Sequence, residues 1–153
     1  MRRSSLKRNR TKVPVDHTRA DSYSFKRVKN ERTIMHDDGY GKSVLDELRP
    51  LHRELRHAIP DVYKAFGEFH HAAFADGELD KKTKELIALA IGVIQRCDGC
   101  IASHAEGAAR AGASPQEAAE AIGVAMLMNG GPATIYGPRA FAAFCEFAAV
   151  PAG

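Results

Sequence analysis

The chain has 153 residues, 44% of them hydrophobic and 27% charged, with a formal net charge of +3, and these values fit one ordinary globular domain. No apolar run approaches the roughly 18 to 20 residues of a membrane span, and no signal-peptide core of roughly 7 to 15 apolar residues follows the charged N-terminus, so the expectation is a cytoplasmic protein without a membrane partner. Three cysteines exclude a disulfide scaffold, because an odd count leaves one thiol outside any intramolecular pairing; in a reducing compartment a close pair more often serves catalysis or metal binding.

Residues 1–30 hold ten Lys or Arg against Asp16 and Asp21, a net of +8 that leaves −5 for the rest. From Met1 to about Lys42 the sequence is polar, basic and without period. Val13, Val15, Tyr23, Phe25 and Val28 form no amphipathic face, so residues 1–42 read as a disordered or loosely attached tail. Such an arm either contacts an anionic partner such as nucleic acid or is simply solvated, and the second is the expectation here.

From Ser43 to the C-terminus apolar residues recur at helical spacing, with Gly and Pro mostly at the seams, which predicts an all-α domain over 43–153 with five to six helices in a compact bundle. Ser43 can cap a first helix to about His57, with Val44, Leu48, Leu51 and Leu55 along one side. Pro60 opens a second as a first-turn proline. It presents Val62, Phe66, Phe69 and Phe74 before Asp76-Gly77. A third helix starts at Asp80, a good N-cap, and its apolar stretch from Leu86 to Ile94 makes it the expected central buried helix. Ala88 and Gly92, one turn apart, leave room for a neighbouring backbone. The fourth begins near Asp98-Gly99 and ends at Ala111-Gly112, with Gly112 in the left-handed position. Ser114-Pro115-Gln116-Glu117 is a capping box that starts a fifth helix, expected to reach about Asn129. Gly130-Gly131-Pro132 opens a last helix through Phe141, Phe144 and Phe147, with a kink or break expected at Gly137-Pro138. Strand-like alternation is lacking throughout.

Cys97-Asp98-Gly99-Cys100 followed by His104 is the most informative stretch. On a helix, positions 97, 100 and 104 fall within about 60° of one another, so one face holds two thiols and an imidazole. At a helix start the dipole stabilises a thiolate, and the short spacing lets one sulfur attack whatever forms on the other. His104, one turn past Cys100, can take a proton from that thiol. Zinc is a rival reading of Cys-x-x-Cys with a His, but it lacks a convincing fourth ligand; two small buried thiols are the bland one. Cys145 falls with Phe141 and Phe144 on the apolar face, as a core residue does.

Glu85 directly precedes the apolar run of the third helix, twelve residues before Cys97. It is either an acidic residue near a helix N-terminus beside Lys81, Lys82 and Lys84, or a carboxylate carried into the interior as a proton store for a nearby thiol. His70 and His71 either line the same cavity or divide between surface and helix seam. His17, His36, His52 and His57 receive no role. The glycines make no phosphate-binding signature.

Leu79 to Ala88, Cys97 to His104, Ala111-Gly112-Ala113 and Met128 to Pro132 together resemble the carboxymuconolactone decarboxylase family in its alkylhydroperoxidase-like branch, over roughly residues 45–147. The resemblance implies an all-helical fold assembled as homotrimers or homohexamers. It further implies reduction of a small hydroperoxide at the expense of a dithiol donor, with no cofactor and no metal. In the family's pattern Cys100 attacks the peroxide, Cys97 closes the disulfide, and Glu85 and His104 relay protons. Helix-dipole reasoning instead favours Cys97 as the more acidic thiol; the family assignment is followed, since a base one turn from Cys100 can outweigh a dipole contribution of roughly 0.3 to 1 kcal/mol. The chain departs from the pattern at Gly99, where better characterised hydroperoxidases of this type carry a second His. The alternatives are a lactone decarboxylase like the founding enzymes, whose chemistry does not need the cysteine pair, and a non-catalytic oligomeric redox-sensing or binding module.

Overall fold

The computed structural model describes residues 39–149, so the expected tail lies almost wholly outside the described residues. Six α-helices follow in order: α1 Lys42–Ala58, α2 Pro60–Ala73, α3 Lys81–Gln95, α4 Asp98–Arg110, α5 Pro115–Asn129 and α6 Gly131–Ala148. Among the described residues the secondary structure is helical, and no helix is long and apolar enough to cross a membrane.

The caps foreseen for α3 and α5 are formed. The Thr83 amide donates to Asp80 Oδ1 at 2.7 Å, and hydrogen bonding from the Thr83 side chain and amide holds the Asp80 carboxyl below its ordinary value. At α5 the Glu117 amide donates to Ser114 Oγ at 3.2 Å while the Ser114 amide donates to Glu117 Oε2 at 2.8 Å, completing the box. Lys82 crosses from α3 to donate to Glu117 Oε1 at 2.6 Å, tying the two helix starts together. Gly112, at φ +81°, takes the left-handed position after α4.

Three local expectations are corrected. Ser43 is not the cap of α1: the helix starts one residue earlier behind Gly41, and Glu146 of α6 supplies the acceptor, taking the amides of Gly41 at 3.3 Å and Lys42 at 3.0 Å. A carboxylate from a distant helix thus does the work that a local hydroxyl was expected to do. Helix α6 is not broken at Gly137-Pro138 but continues through it, because its packing along α4 and α5 holds the helix together where the proline amide is missing. Gly137 is buried there against Ile122. Finally, α2 ends at Ala73, short of Asp76.

The core is shared by α3 to α6: Leu89 and Val93, Ile101 and Ala105, Ile122, then Ala140 and Phe144. Small residues at 102, 105 and 108 bring α4 close to its neighbours. Helix α3 is not apolar on all sides for burial within one chain. Leu89 and Val93 are fully buried, whereas Ile87 and Ile91 are exposed, because α4, α5 and α6 cover only one of its faces. Helices α1 and α2 contribute no fully buried residue. Helix α2 packs against α1 and leaves Val62, Phe66 and Phe69 exposed, the last at 69%.

Candidate functional site

The site is built where α3 turns into α4. Helix α3 ends on Arg96, held in the left-handed region at φ 56°, and the amides of Arg96 and Cys97 fold back onto the carbonyls of Val93 and Gly92. This reversal delivers Cys97 as the N-cap of α4, where its Sγ accepts the Cys100 amide at 3.2 Å. Gly92 lets the first turn of α4 lie close on α3: a Cβ placed there would meet the Ile101 backbone nitrogen at 3.4 Å and Cys100 Cβ at 3.5 Å. The room foreseen around Gly92 is used.

Cys97 and Cys100 are joined by a disulfide, with Sγ atoms 2.09 Å and Cα atoms 5.2 Å apart. Cys97 is half-buried and Cys100 exposed. One turn further on, about 6 Å along the helix axis, His104 places Nδ1 2.9 Å from Glu85 Oε2. Glu85 is only 5% exposed, the one charged residue buried among the described residues. In the tautomer with Nδ1 protonated, His104 Nδ1–H donates to the Glu85 oxygen and Nε2 is the free ring nitrogen. The four residues singled out in the sequence therefore form two bonded pairs, linked by one turn of α4.

Two features were not legible beforehand. The Phe74 ring stacks on the His104 imidazole, with centroids 5.8 Å apart and planes 8° from parallel, and His70 stacks on Phe74 at 4.6 Å and 13°. The stretch after α2 thus covers one face of the imidazole, and Lys84 ties it to α3 by donating to the Ala75 carbonyl. His70 and His71 are both exposed, so His70 reaches the site only through Phe74. The second feature is Gly107, one turn past His104, over which the Glu85 carboxylate lies. The sequence does not single out Gly107, because glycines inside other helices, such as Gly67 and Gly123, have no neighbour within 4 Å.

Gly99, the position of departure from the hydroperoxidase pattern, is covered by α1: a Cβ there would come within 2.9 Å of Leu48 Cδ1. Among the described residues no group of three or more His, Cys, Asp or Glu side chains is placed to hold a metal. Cys145, expected in the core, is half-buried on α6 and not among the buried core residues; desolvation pushes its thiol above the ordinary value.

A helical scaffold with a Cys-x-x-Cys disulfide at one helix start, and a buried carboxylate holding an imidazole one turn beyond, defines a class of small thiol proteins. The chain belongs to the carboxymuconolactone decarboxylase family, whose model matches residues 60–146. Similar proteins include protein 4 of the cox locus of Paracoccus denitrificans, 40% identical over 93 residues that make up 61% of this chain and 84% of that one. Another, from Cupriavidus necator, is 36% identical over 103 residues, 67% of this chain and 91% of the other. Among solved structures, a carboxymuconolactone decarboxylase family protein from Legionella pneumophila superposes with a TM-score of 0.67 at 37% identity, covering 69% of this chain and 94% of its own. A Thermotoga maritima member, for which a part in the antioxidative response has been raised, gives 0.60 at 30% identity over 69% of this chain and 89% of its own.

Proposed function

We propose that the protein is a thiol-dependent hydroperoxide reductase of the alkylhydroperoxidase-like kind, acting in the cytoplasm. In the reduced protein the Cys100 thiolate attacks the distal oxygen of a small hydroperoxide. The O–O bond breaks, the alkoxide takes a proton by way of His104 and leaves as an alcohol, and Cys100 becomes a sulfenic acid. The Cys97 thiolate then attacks that sulfur, hydroxide leaves and is protonated to water, and the disulfide closes. A dithiol donor, small or protein-borne, returns both sulfurs to thiols and is itself oxidised.

The observation that carries this reading is the bonded Cys97–Cys100 pair standing one helical turn from the His104–Glu85 pair. Exposure of Cys100 suits it to meet a soluble peroxide, and half-buried Cys97 suits the resolving role. The place raised for the Thermotoga relative in an antioxidative response points the same way. The working form is a homotrimer or homohexamer, which is supported by the apolar residues a single chain leaves open, among them Phe66 and Phe69 on α2 and Leu127, at 83%, on α5.

The test is peroxide turnover with a dithiol donor. Cys100→Ser should abolish it while the helical circular dichroism is kept, and an oxidised wild-type chain should be lighter by two hydrogens with the bridge mapped to Cys97 and Cys100. Retained turnover in Cys100→Ser would refute the mechanism. A lactone decarboxylase, by contrast, would survive loss of both cysteines.

A further inference from the structure

We infer that Gly107 is a positioning residue of this site: the bare backbone of α4 at that point is the seat in which the Glu85 carboxylate rests against His104. A Cβ built on Gly107 would lie 2.5 Å from the Glu85 carboxyl carbon and 2.5 and 2.6 Å from its two oxygens, and these are the three nearest atoms. Other glycines inside the described helices stand otherwise. Gly67 and Gly123 have nothing within 4 Å, Gly92 faces the start of α4, Gly99 faces Leu48 and Gly137 faces Ile122.

Glycine is a poor helix former, and the residue most favoured in its place is alanine. Gly107 sits in the interior of a helix that is otherwise rich in alanine. Nothing in its backbone requires glycine, since its φ is not among the positive ones. What requires it is the carboxylate. Glu85 reaches across from α3 into space that any larger residue at 107 would fill, and there the structure gives its carboxylate one hydrogen-bond partner, His104 Nδ1 at 2.9 Å. Phe74 closes the face of the imidazole. The seat therefore fixes where the carboxylate stands, the carboxylate fixes which ring nitrogen carries the proton, and Nε2 is left for the proton of the reacting sulfur. The consequence of this seat for turnover rests on the reductase reading.

The test compares the reduced full-length wild type with Gly107→Ala, Glu85→Asp and the double variant Gly107→Ala/Glu85→Asp. Asp is one methylene shorter and restores the room that alanine removes. The readouts are the proton resonance of His104 Nδ1–H, the melting temperature, and kcat and KM with tert-butyl hydroperoxide. Expected for Gly107→Ala are a retained helical fold with a melting temperature no higher than wild type, since alanine's gain in helix propensity is set against the lost partner of a buried carboxylate, loss or a large shift of the His104 resonance, and at least a tenfold fall in kcat with KM little changed. In the double variant the resonance and several-fold of the lost kcat should return. An unmoved resonance in Gly107→Ala, or no recovery in the double variant, overturns the inference. Should Gly107→Ala lose its helical fold, recovery of the fold by Glu85→Asp supports the seat and failure to recover overturns it. A wild type that does not turn over the peroxide sinks the reductase reading alone, since the resonance still decides the role of Gly107.

Discussion

Glu85→Gln isolates the charge of the buried carboxylate from its shape. The glutamine amide has the same length and still offers a carbonyl oxygen to His104 Nδ1–H, so the 2.9 Å contact can be kept while its ionic character is lost. A hydrogen bond to a charged group contributes roughly 1.5 to 3 kcal/mol and a neutral one roughly 0.5 to 1.5. The difference of about 1 to 1.5 kcal/mol is the part of the imidazole's basicity and alignment that the charge supplies, and at about 1.4 kcal/mol per tenfold it predicts a roughly five- to tenfold slower reaction at Cys100. Stability should move the other way. At 5% exposure the carboxylate is kept from water with few partners, and a neutral amide there costs less to bury, so the melting temperature should hold or rise. The assay is iodoacetamide alkylation of Cys100 in the reduced Cys97→Ser background, followed by mass, beside a thermal melt and peroxide turnover. Alkylation and turnover at wild-type rates with an altered melting temperature would show that the Glu85–His104 pair only holds α3 to α4, and the reasoning would fail.

His104→Ala should be the more damaging change to the fold, because it leaves Glu85 buried without its partner; a loss of about 1 to 3 kcal/mol in urea unfolding is expected, discounted from the fully buried case because the His104 side chain is 23% exposed. Phe74→Leu keeps apolar volume over the imidazole but removes the flat ring, so a thermal melt should change by less than about 1.5 kcal/mol while kcat falls and the ring-current shift on the His104 protons disappears. The Glu117 carboxyl is held below its ordinary 4.5, first by the hydrogen bond from Lys82 and then by the Ser114 amide. Its stabilisation is therefore whole above pH 4.5 and lost as the pH falls through the lowered value, so Glu117→Gln should flatten the acid side of urea midpoint against pH. Phe66→Glu places a charge on the open face of α2 and should weaken self-association by about 2 to 3 kcal/mol, roughly 30- to 150-fold, as read by light scattering against concentration.

The elements whose signals are local were legible in the sequence. Asp80, the Ser114 box, Pro60 and Gly112 each act within one turn of chain, so the starts of α2, α3 and α5 and the end of α4 followed from residue type alone. The same holds for Cys97, Cys100 and His104, which share one face of one helix by spacing. That Glu85 meets His104 is another matter. It depends on how α3 and α4 cross, which is set by the left-handed turn at Arg96, the missing side chain at Gly92 and the empty seat at Gly107. Glu146 capping α1 and Phe74 lying on His104 likewise join residues far apart in the chain. The sequence by itself determined the order of the helices, the starts of α2, α3 and α5, the end of α4 and the thiol–imidazole face, because those interactions span a few residues. Only the tertiary structure decided which carboxylate holds the imidazole, what covers it and which apolar faces are left open, because those contacts arise from packing between helices.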